Sequence, residues 1–337
     1  MGLEIGIVGL PNVGKSTMFN ALLKRQVAFV ANFPFATIEP NIGVVPVPDF
    51  RLAKLAEVVK TEKIVPATVK FVDIAGLVKG ASKGEGLGNK FLAHIREVDA
   101  IVYLLRDFSD ENVIRAGSTD PQSDFEILEA ELMLADLETV SRIRDGKDRG
   151  LHDLAQRIAE GLEKGIPVRQ MKFTEMEDKE VHQMSLLTNK GVIKVLNVDE
   201  NKLAGEDLRI SAKMEEELAG LSEEEQKQYL ADLGVTQSGL ERLIRKAFDI
   251  LGLQTFLTAG EIEARAWTIK KGTKAPQAAG VIHTDFEKHF IKADVINWEE
   301  FIKLGGWGPA RELGKVRMEG REYTMAEGDV VEFKVGV

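Results

Sequence analysis

The feature of the sequence that most constrains the fold is an apolar strand that runs directly into a phosphate-binding loop. Residues 3–8, LEIGIV, are followed at 9–17 by GLPNVGKST, which fits GxxxxGK[ST]. In this pattern the glycines let backbone N–H groups converge on phosphate, and the following helix adds its partial positive charge. A chance glycine-rich turn is the alternative, but strand, loop and helix occur here in the order that a P-loop requires.

Several side chains have predicted roles around this loop. We predict that Lys15 is the cation for the β and γ phosphates and that the Ser16 hydroxyl ligates Mg²⁺. A second apolar strand, TVKFVD at 68–73, opens the sequence DIAG. Asp73 is therefore predicted to hold Mg²⁺ through water, and Gly76 to bring its N–H to the γ phosphate.

Two further positions bear on hydrolysis. Thr37, in the stretch NFPFATIEPNIG, is the candidate switch threonine that ligates Mg²⁺ when the γ phosphate is present. Leu77 follows Gly76, where a Ras-like enzyme has the Gln that orients the attacking water. Because leucine cannot polarise water, we expect slow turnover, with the water positioned by backbone, by the Gly-rich loop at 79–89 or by a partner.

Composition excludes several classes of protein. The 337 residues are enough for two or three domains, and 44% hydrophobic and 29% charged residues are typical of a globular protein. No run of about 18 apolar residues could span a membrane, and no secretion signal is visible, so we expect a cytoplasmic protein. The absence of Cys excludes disulfides and thiolate sites, and a net charge of −10 argues against broad binding to nucleic acid.

The chain alternates short apolar runs with helical runs, which predicts a mostly parallel sheet covered by helices. A helical insertion interrupts this pattern. Ser123 and Glu126 have the spacing of a capping box at the start of one amphipathic run, and a polar break at 144–150 separates it from a second. The last 80 or so residues contain short strands and Gly- and Pro-bearing turns, which indicates a small β-rich domain.

A second candidate site follows the apolar strand at 192–197. The strand leads into Asn197-Val198-Asp199-Glu200, near the place where a guanine-binding protein carries Asn-Lys-x-Asp. In that motif the Asp accepts hydrogen bonds from guanine N1–H and N2–H₂, and the Lys stem packs along the base. Val198 and Glu200 stand at those positions, so the groups that give strong guanine preference are altered.

From these changes we predict that ATP binds at least as well as GTP, which leaves room for residual GTPase activity. Asn197 is expected mainly to brace the loop, with Ser211, Ala212 and Lys213 lining the other side of the base. The alternative is that Glu200, one methylene longer than Asp, still reads guanine.

Four stretches carry a resemblance to a known family: GLPNVGKST, NFPFATIEPN, DIAGLVKGASKGEGLGN and RAWTIKKGTKAPQAAGVIHTDFEKHFIKA. They closely resemble the YchF-type Obg-like ATPases, P-loop proteins of the translation-factor GTPase class, and the resemblance covers nearly the whole chain. It implies an α/β fold: a P-loop NTPase (Ras-like G domain) at 1–122 and 186–252, an inserted α-helical hairpin at 123–185, and a C-terminal β-grasp (TGS) domain at 253–337.

The resemblance also implies roles for individual residues. Leu77 matches the hydrophobic residue that replaces the catalytic Gln, Ser16 and Thr37 would hold Mg²⁺, and Val198 would lie against the adenine. The P-loop positions that would bind the triphosphate are Asn12, Val13, Gly14, Lys15, Ser16 and Thr17.

Asn12 and Arg115 add two further expectations. An Asn at this place in a P-loop allows K⁺ to bridge phosphates, as in related Asn-bearing P-loops. Many family members have a His within a DENxxHV-like segment, but this chain has DENVIRAG with Arg115 there. Arginine cannot act as a neutral general base, so either catalysis does not need that His or Arg115 stabilises charge.

The resulting hypothesis is a Mg²⁺-dependent ATPase that acts as a nucleotide-dependent regulator in translation or stress response. The expected partners are ATP and the ribosome, as the large subunit or the 70S particle, through the TGS and helical domains, with a further contact to RNA and none to a membrane. One rival is a guanine-selective Obg-like GTPase. The other is a nucleotide-gated ribosome- or RNA-binding module whose hydrolysis is incidental.

Overall fold

The computed structural model describes residues 3–32, 41–74, 86–110, 120–146 and 150–336. Predictions made for Thr37, Gly76, Leu77 and Arg115 lie outside these residues.

The described residues divide into two units. The first contains the residues up to Val45 and Lys70–Leu243, and the second contains Pro46–Val69 and the residues from Ile244 onward. The domain boundaries given from sequence remain predictions. The units differ from them in two respects, because residues 46–69 and 244–252, both assigned from sequence to the G domain, belong to the second unit.

A six-stranded sheet forms the centre of the first unit. Its strands are β1 (Glu4–Val8), β2 (Ile42–Pro46), β4 (Thr68–Asp73), β5 (Ala100–Asp107), β6 (Gly191–Val198) and β7 (Arg209–Ile210). Their order across the sheet is β2-β4-β1-β5-β6-β7. The neighbouring pairs β4–β1, β1–β5, β5–β6 and β6–β7 are all parallel. The carboxyl ends of β4, β1, β5, β6 and β7 therefore meet at one edge of the sheet, where open α/β sheets bind ligands.

The first unit also contains helices, some of which lie beside the sheet and some of which belong to the insertion. They are α1 (Lys15–Asn32), α3 (Gly86–Glu97), α4 (Pro121–Arg144), α5 (His152–Glu163), α6 (Glu175–Gln183), α7 (Ala212–Leu218), α8 (Glu223–Asp232) and α9 (Gly239–Ile250), which crosses the unit boundary in sequence. None of the helices that the structure describes is long and apolar enough to span a membrane.

Helix α4 begins earlier than the sequence suggested, so the predicted capping box is wrong. Asp120 is the N-cap, and its carboxylate accepts the N–H groups of Gln122 and Ser123 at 3.3 and 3.0 Å. The Ser123 hydroxyl donates to Asp120, and Glu126 accepts from the Gln122 side chain. Asp120 is a good N-cap and Pro121 is well suited to the first helical position, so together they start the helix before Ser123.

A helical hairpin forms the insertion, as predicted. Helices α4 and α5 share an apolar core in which Leu154, Ile158 and Leu162 lie along one face of α5 and pack near Val140 of α4. The four-residue spacing of the α5 leucine and isoleucine side chains places them on one stripe of the helix.

Buried polar groups join α4 to the rest of the first unit. The Asp136 carboxylate accepts the N–H groups of Leu187 and Thr188, both at 2.8 Å, and the Thr188 hydroxyl at 2.7 Å. Burial raises the pKa of Asp136, while these hydrogen bonds oppose the rise. Glu129 accepts from the buried Tyr103 hydroxyl of β5 at 2.8 Å. Helix α4 is therefore fixed to the sheet through Glu129 and to the segment before β6 through Asp136, by directional contacts as well as by apolar packing.

The second unit has a six-stranded sheet with strands β3 (Ile64–Val65), β8 (Leu253–Ala259), β9 (Ala264–Lys270), β10 (Phe290–Asn297), β11 (Arg317–Glu319) and β12 (Asp329–Val335). Their order is β11-β10-β12-β8-β9-β3. Its helices are α2 (Phe50–Val59), α10 (Ala275–Ile282), α11 (Thr284–Lys288), α12 (Trp298–Leu304) and α13 (Trp307–Glu312).

The strand order identifies this unit as a β-grasp. Strands β8 and β9 form an antiparallel hairpin, β12 lies parallel to β8, and β10 lies antiparallel to β12. Helix α10 follows the hairpin and packs its Ala275, Ala278 and Ala279 against a core that includes Phe256. The small β-rich C-terminal domain expected from the sequence thus has the predicted fold.

Candidate functional site

The P-loop lies at the carboxyl end of β1, between Val8 and Lys15, the first residue of α1. Asn12 and Gly14 adopt positive φ angles of 64° and 89°, which turn the backbone tightly before the helix. Backbone N–H groups in the first turn of a helix have no partner within that helix, so together with the helix dipole they attract an anion. The local geometry is therefore suited to phosphate.

The side chain of Asn197 joins the P-loop to the loop that follows β7. Its Nδ2 donates to the Val13 carbonyl at 2.8 Å, and its Oδ1 accepts from the Ala212 N–H at 2.9 Å. Asn197 is 4% exposed, and a Cβ added at Gly14 would overlap the Asn197 amide nitrogen. Glycine at position 14 therefore permits both the turn and the close approach of this amide.

Lys15 and Asp73 form an ion pair beside the P-loop. The Lys15 Nζ donates to Asp73 Oδ1 at 2.5 Å. Asp73 ends β4 and lies opposite Ile7 of the parallel strand β1, so the sheet register brings its carboxylate to the start of the P-loop. The side chains are 14% and 20% exposed, which leaves both groups within reach of a ligand.

A cleft of about 1000 Å³ opens at this edge of the sheet. Of the predicted nucleotide contacts, it is lined by Asn12, Gly14, Lys15, Ser16, Thr17, Asn197, Val198, Glu200, Ser211, Ala212 and Lys213. Val13 differs, because its side chain is 2% exposed and it takes part through the carbonyl that Asn197 binds.

One wall of the cleft was missed by the sequence analysis. Phe108, Ser109 and Asp110 line it directly after β5. Arg106, 4% exposed, stacks over the Phe108 ring at 4.3 Å and donates to the Asp110 carbonyl at 3.2 Å. No sequence motif identifies this segment. Its place in the fold indicates its role, because β5 lies parallel to β1 and ends at the same edge of the sheet as the P-loop.

Asp199 and Glu200 both line the cleft but differ in their surroundings. Both Asp199 carboxylate oxygens lie 3.3 Å from the Ser109 N–H, and Lys202 pairs with Asp199 at 3.3 Å. Glu200 borders the cleft. Burial raises the pKa of the Tyr229 hydroxyl in α8, and the negative charge of Glu200 adds to the rise.

Val198 borders the cleft but contributes mainly to the core below it. Its side chain is 2% exposed and packs with Leu203, Met214 and Leu218. Little of its surface is therefore open to a bound base.

The described residues contain no group of three or more His, Asp or Glu side chains suited to hold a metal ion by themselves. Ser16 and Asp73 supply a hydroxyl and a carboxylate, which are hard oxygen ligands of the kind that Mg²⁺ prefers. Mg²⁺ usually binds through one or two protein ligands together with substrate phosphates, so this small donor set suits a metal that arrives with a nucleotide.

Two family models match the chain. One, described as a 50S ribosome-binding GTPase, matches residues 4–142. The other, YchF-GTPase_C, described as a protein of unknown function, matches residues 253–336.

Curated proteins and a solved structure are similar over the full length of the chain. The ribosome-binding ATPase YchF of Bacillus subtilis is 47% identical, and that of Haemophilus influenzae is 45% identical, each with complete coverage of both chains. The structure of the Schizosaccharomyces pombe YchF GTPase is 36% identical, covers 99% of this chain and 98% of its own, and superposes with a TM-score of 0.86.

The parallel sheet, the P-loop at the end of its central strand and the cleft beside it define a P-loop NTPase with a Ras-like G domain. Since full-length relatives are 36–47% identical, the chain belongs to the YchF family. The predicted fold class, with its helical insertion and C-terminal β-grasp domain, is confirmed.

Replacing Asn197 by Ala should weaken nucleotide binding. The change leaves the Val13 carbonyl and the Ala212 N–H without their partner, and each lost hydrogen bond in a buried site costs about 1–3 kcal/mol. We expect affinity for a fluorescent ADP analogue to fall about tenfold or more, which corresponds to about 1.4 kcal/mol. Asn201→Ala, at an exposed position nearby, is the control. Equal affinities for both variants and the wild type would contradict the bracing role.

Proposed function

We propose that the protein is a cytoplasmic, ribosome-associated ATPase that binds ATP with Mg²⁺ and hydrolyses it slowly to ADP and phosphate. The observation that carries the proposal is the P-loop with Lys15 beside Asp73, joined through Asn197 to the loop after β7. The curated relatives are called ribosome-binding ATPases, which supports both ATP and the ribosome as partners.

The chemistry would be in-line attack of water on the γ phosphate. Lys15 and the P-loop N–H groups would neutralise charge as it develops on the phosphate oxygens, and the Gly76 N–H would add a further donor. Leu77 offers no group to orient water, so intrinsic turnover would be slow. Arg115 is proposed to stabilise charge rather than to accept a proton.

Ser16 and Asp73 are the described residues that we propose would hold Mg²⁺, Ser16 directly and Asp73 through water, with Thr37 as a third ligand. Ser16 is exposed in the first turn of α1 and borders the cleft, which supports this role. Bound Mg²⁺ would supply positive charge against the β and γ phosphate oxygens. With nucleotide bound, the Lys15 ammonium group would bind phosphate in place of the Asp73 carboxylate that it binds in the structure.

For the base, we propose that adenine is accepted at least as well as guanine. Asn197 is held by hydrogen bonds to the protein on both its nitrogen and its oxygen, which supports bracing as its main role. Glu200 is one methylene longer than the Asp of a guanine motif, so its carboxylate could turn away from guanine N1–H. Ser211, Ala212 and Lys213 would line the other side of the base.

Calorimetric titration with non-hydrolysable ATP and GTP analogues tests the base preference. We expect ATP to bind at least as tightly as GTP, and Glu200→Ala to change ATP affinity by less than about threefold, since no hydrogen bond to adenine is lost. Glu206→Ala, at an exposed position, is the matched control. The proposal fails if GTP binds a hundredfold more tightly than ATP, or if Glu200→Ala selectively removes GTP binding.

Potassium is a further proposed cofactor, bound between Asn12 and the phosphates. We expect phosphate release to be faster in K⁺ than in Na⁺, and Asn12→Gly to remove that difference. Because Asn12 has a φ of 64°, glycine keeps the backbone while deleting the side chain oxygen. Identical rates of the wild type in the two salts would rule out a role for K⁺.

The ribosome is the proposed partner of the ATPase, as the large subunit or the 70S particle, through the TGS and helical domains and with contact to RNA. We expect ribosomes to accelerate phosphate release from ATP, because a partner can position the water that Leu77 cannot. Lys15→Ala should abolish release under both conditions, since it removes the phosphate cation. An absence of hydrolysis by the wild type, with and without ribosomes, would instead favour a nucleotide-gated binding module.

A further inference from the structure

The buried carboxylate of Glu215 lies behind the cleft wall formed by Ser211, Ala212 and Lys213. Glu215 is 0% exposed and lies in α7, one turn after Ser211, which lines the cleft together with Ala212 and Lys213. Carboxylates are seldom fully buried unless paired, because loss of water disfavours the charged form. Burial raises the pKa of Glu215, while Arg25 and N–H groups of α9 act in the opposite direction.

The partners of Glu215 come from two other helices. Its Oε1 accepts the Leu240 N–H in the first turn of α9 at 3.1 Å, and its Oε2 lies 3.7 Å from Arg25 of α1. Arg25 also donates to the Ser238 hydroxyl at 3.0 Å. That hydroxyl accepts the Glu241 N–H at 3.1 Å and so caps α9. One carboxylate therefore connects α7 with the P-loop helix and with the start of α9.

The start of α9 also contacts β7, the strand that leads into the cleft-lining residues Ser211, Ala212 and Lys213. Arg242 donates to the Arg209 carbonyl at 2.7 Å. A Cβ at Gly239 would lie 2.8 Å from the same carbonyl oxygen and from the Ile210 side chain, so the backbones can approach this closely only at glycine. The strand before the loop and the helix after it are thus both anchored on the first turn of α9.

From this geometry we infer that Glu215 is a positioning residue for nucleotide binding. Glu215 connects α7 to α9 and to Arg25 of α1, the helix that follows the P-loop. These contacts fix the position and rotation of α7, so that Ser211, Ala212 and Lys213 face the base. Glu215 itself does not line the cleft. This inference rests on the proposed nucleotide-binding function.

Two anchors fix α7, and they act at different places. Asn197 binds the N–H of Ala212, the first residue of the helix, from the cleft side. Glu215 acts a turn later, from the packed side. Loss of Glu215 would let the helix rotate about the Asn197 contact, which alters contacts to the base while the P-loop stays in place. Binding of base and binding of phosphate should therefore respond differently.

The experiment compares two ligands, ADP and inorganic tripolyphosphate with Mg²⁺, which has no base. For Glu215→Ala we expect ADP affinity to fall about tenfold and tripolyphosphate affinity to stay within about twofold of wild type. Glu215→Gln keeps an acceptor for the Leu240 N–H and should restore ADP affinity to within about threefold of wild type. Glu217→Ala, exposed on the same helix, is the control and should match wild type.

Each outcome bears on the inference. Unchanged ADP affinity in Glu215→Ala overturns it, and an equal loss for ADP and tripolyphosphate shows a general structural role and also overturns it. If Glu215→Ala does not fold, Glu215→Asp carries the test, because its shorter side chain should lose about threefold in ADP affinity and none in tripolyphosphate affinity. Failure of the wild type to bind either ligand would instead refute the proposed function.

Discussion

The bridge made by the Asn197 amide is the interaction on which the arrangement of the site depends. It binds the Val13 carbonyl of the P-loop and the Ala212 N–H of the loop after β7, so two segments far apart in sequence are held by one side chain. The bridge requires glycine at position 14, since a Cβ there would occupy the space of the amide nitrogen. Gly14, which allows the P-loop turn, therefore also allows Asn197 to hold Ala212 close to the P-loop.

The phosphate half of this site was predictable because each of its parts has a local signature. A P-loop needs glycines, Lys and Ser at fixed spacing after a strand, and Asp73 ends a recognisable strand, so parallel topology predicts that Lys15 and Asp73 meet. The Phe108 wall has no such signature. It is positioned by the neighbouring strands β5 and β1 and by Arg106, and that pairing becomes visible only in the fold.

Two buried carboxylates that sequence reasoning missed depend on contacts between distant residues. Asp136 and Glu129 lie on an amphipathic helix, where a carboxylate ordinarily faces water, yet both are buried because Thr188 and Tyr103 supply donors. The start of α4 was missed for a different reason. Two competing local signals were present, and the Asp120 cap followed by Pro121 prevailed over the serine and glutamate that lie further along the chain.

The two halves of the site are constrained to different degrees. Phosphate binding uses backbone N–H groups whose direction follows from the turn of the P-loop, so most substitutions in the loop disturb several contacts together. On the proposed function, base selection would use a few side chains whose positions are set by Asn197 from the cleft side and by Glu215 and the first turn of α9 from the packed side. As long as these anchors remain, the residues that face the base can change without loss of the loop. Glu200, where a guanine motif has Asp, borders the cleft and is a change of this kind, whereas Val198, where the motif has Lys, packs mainly into the core.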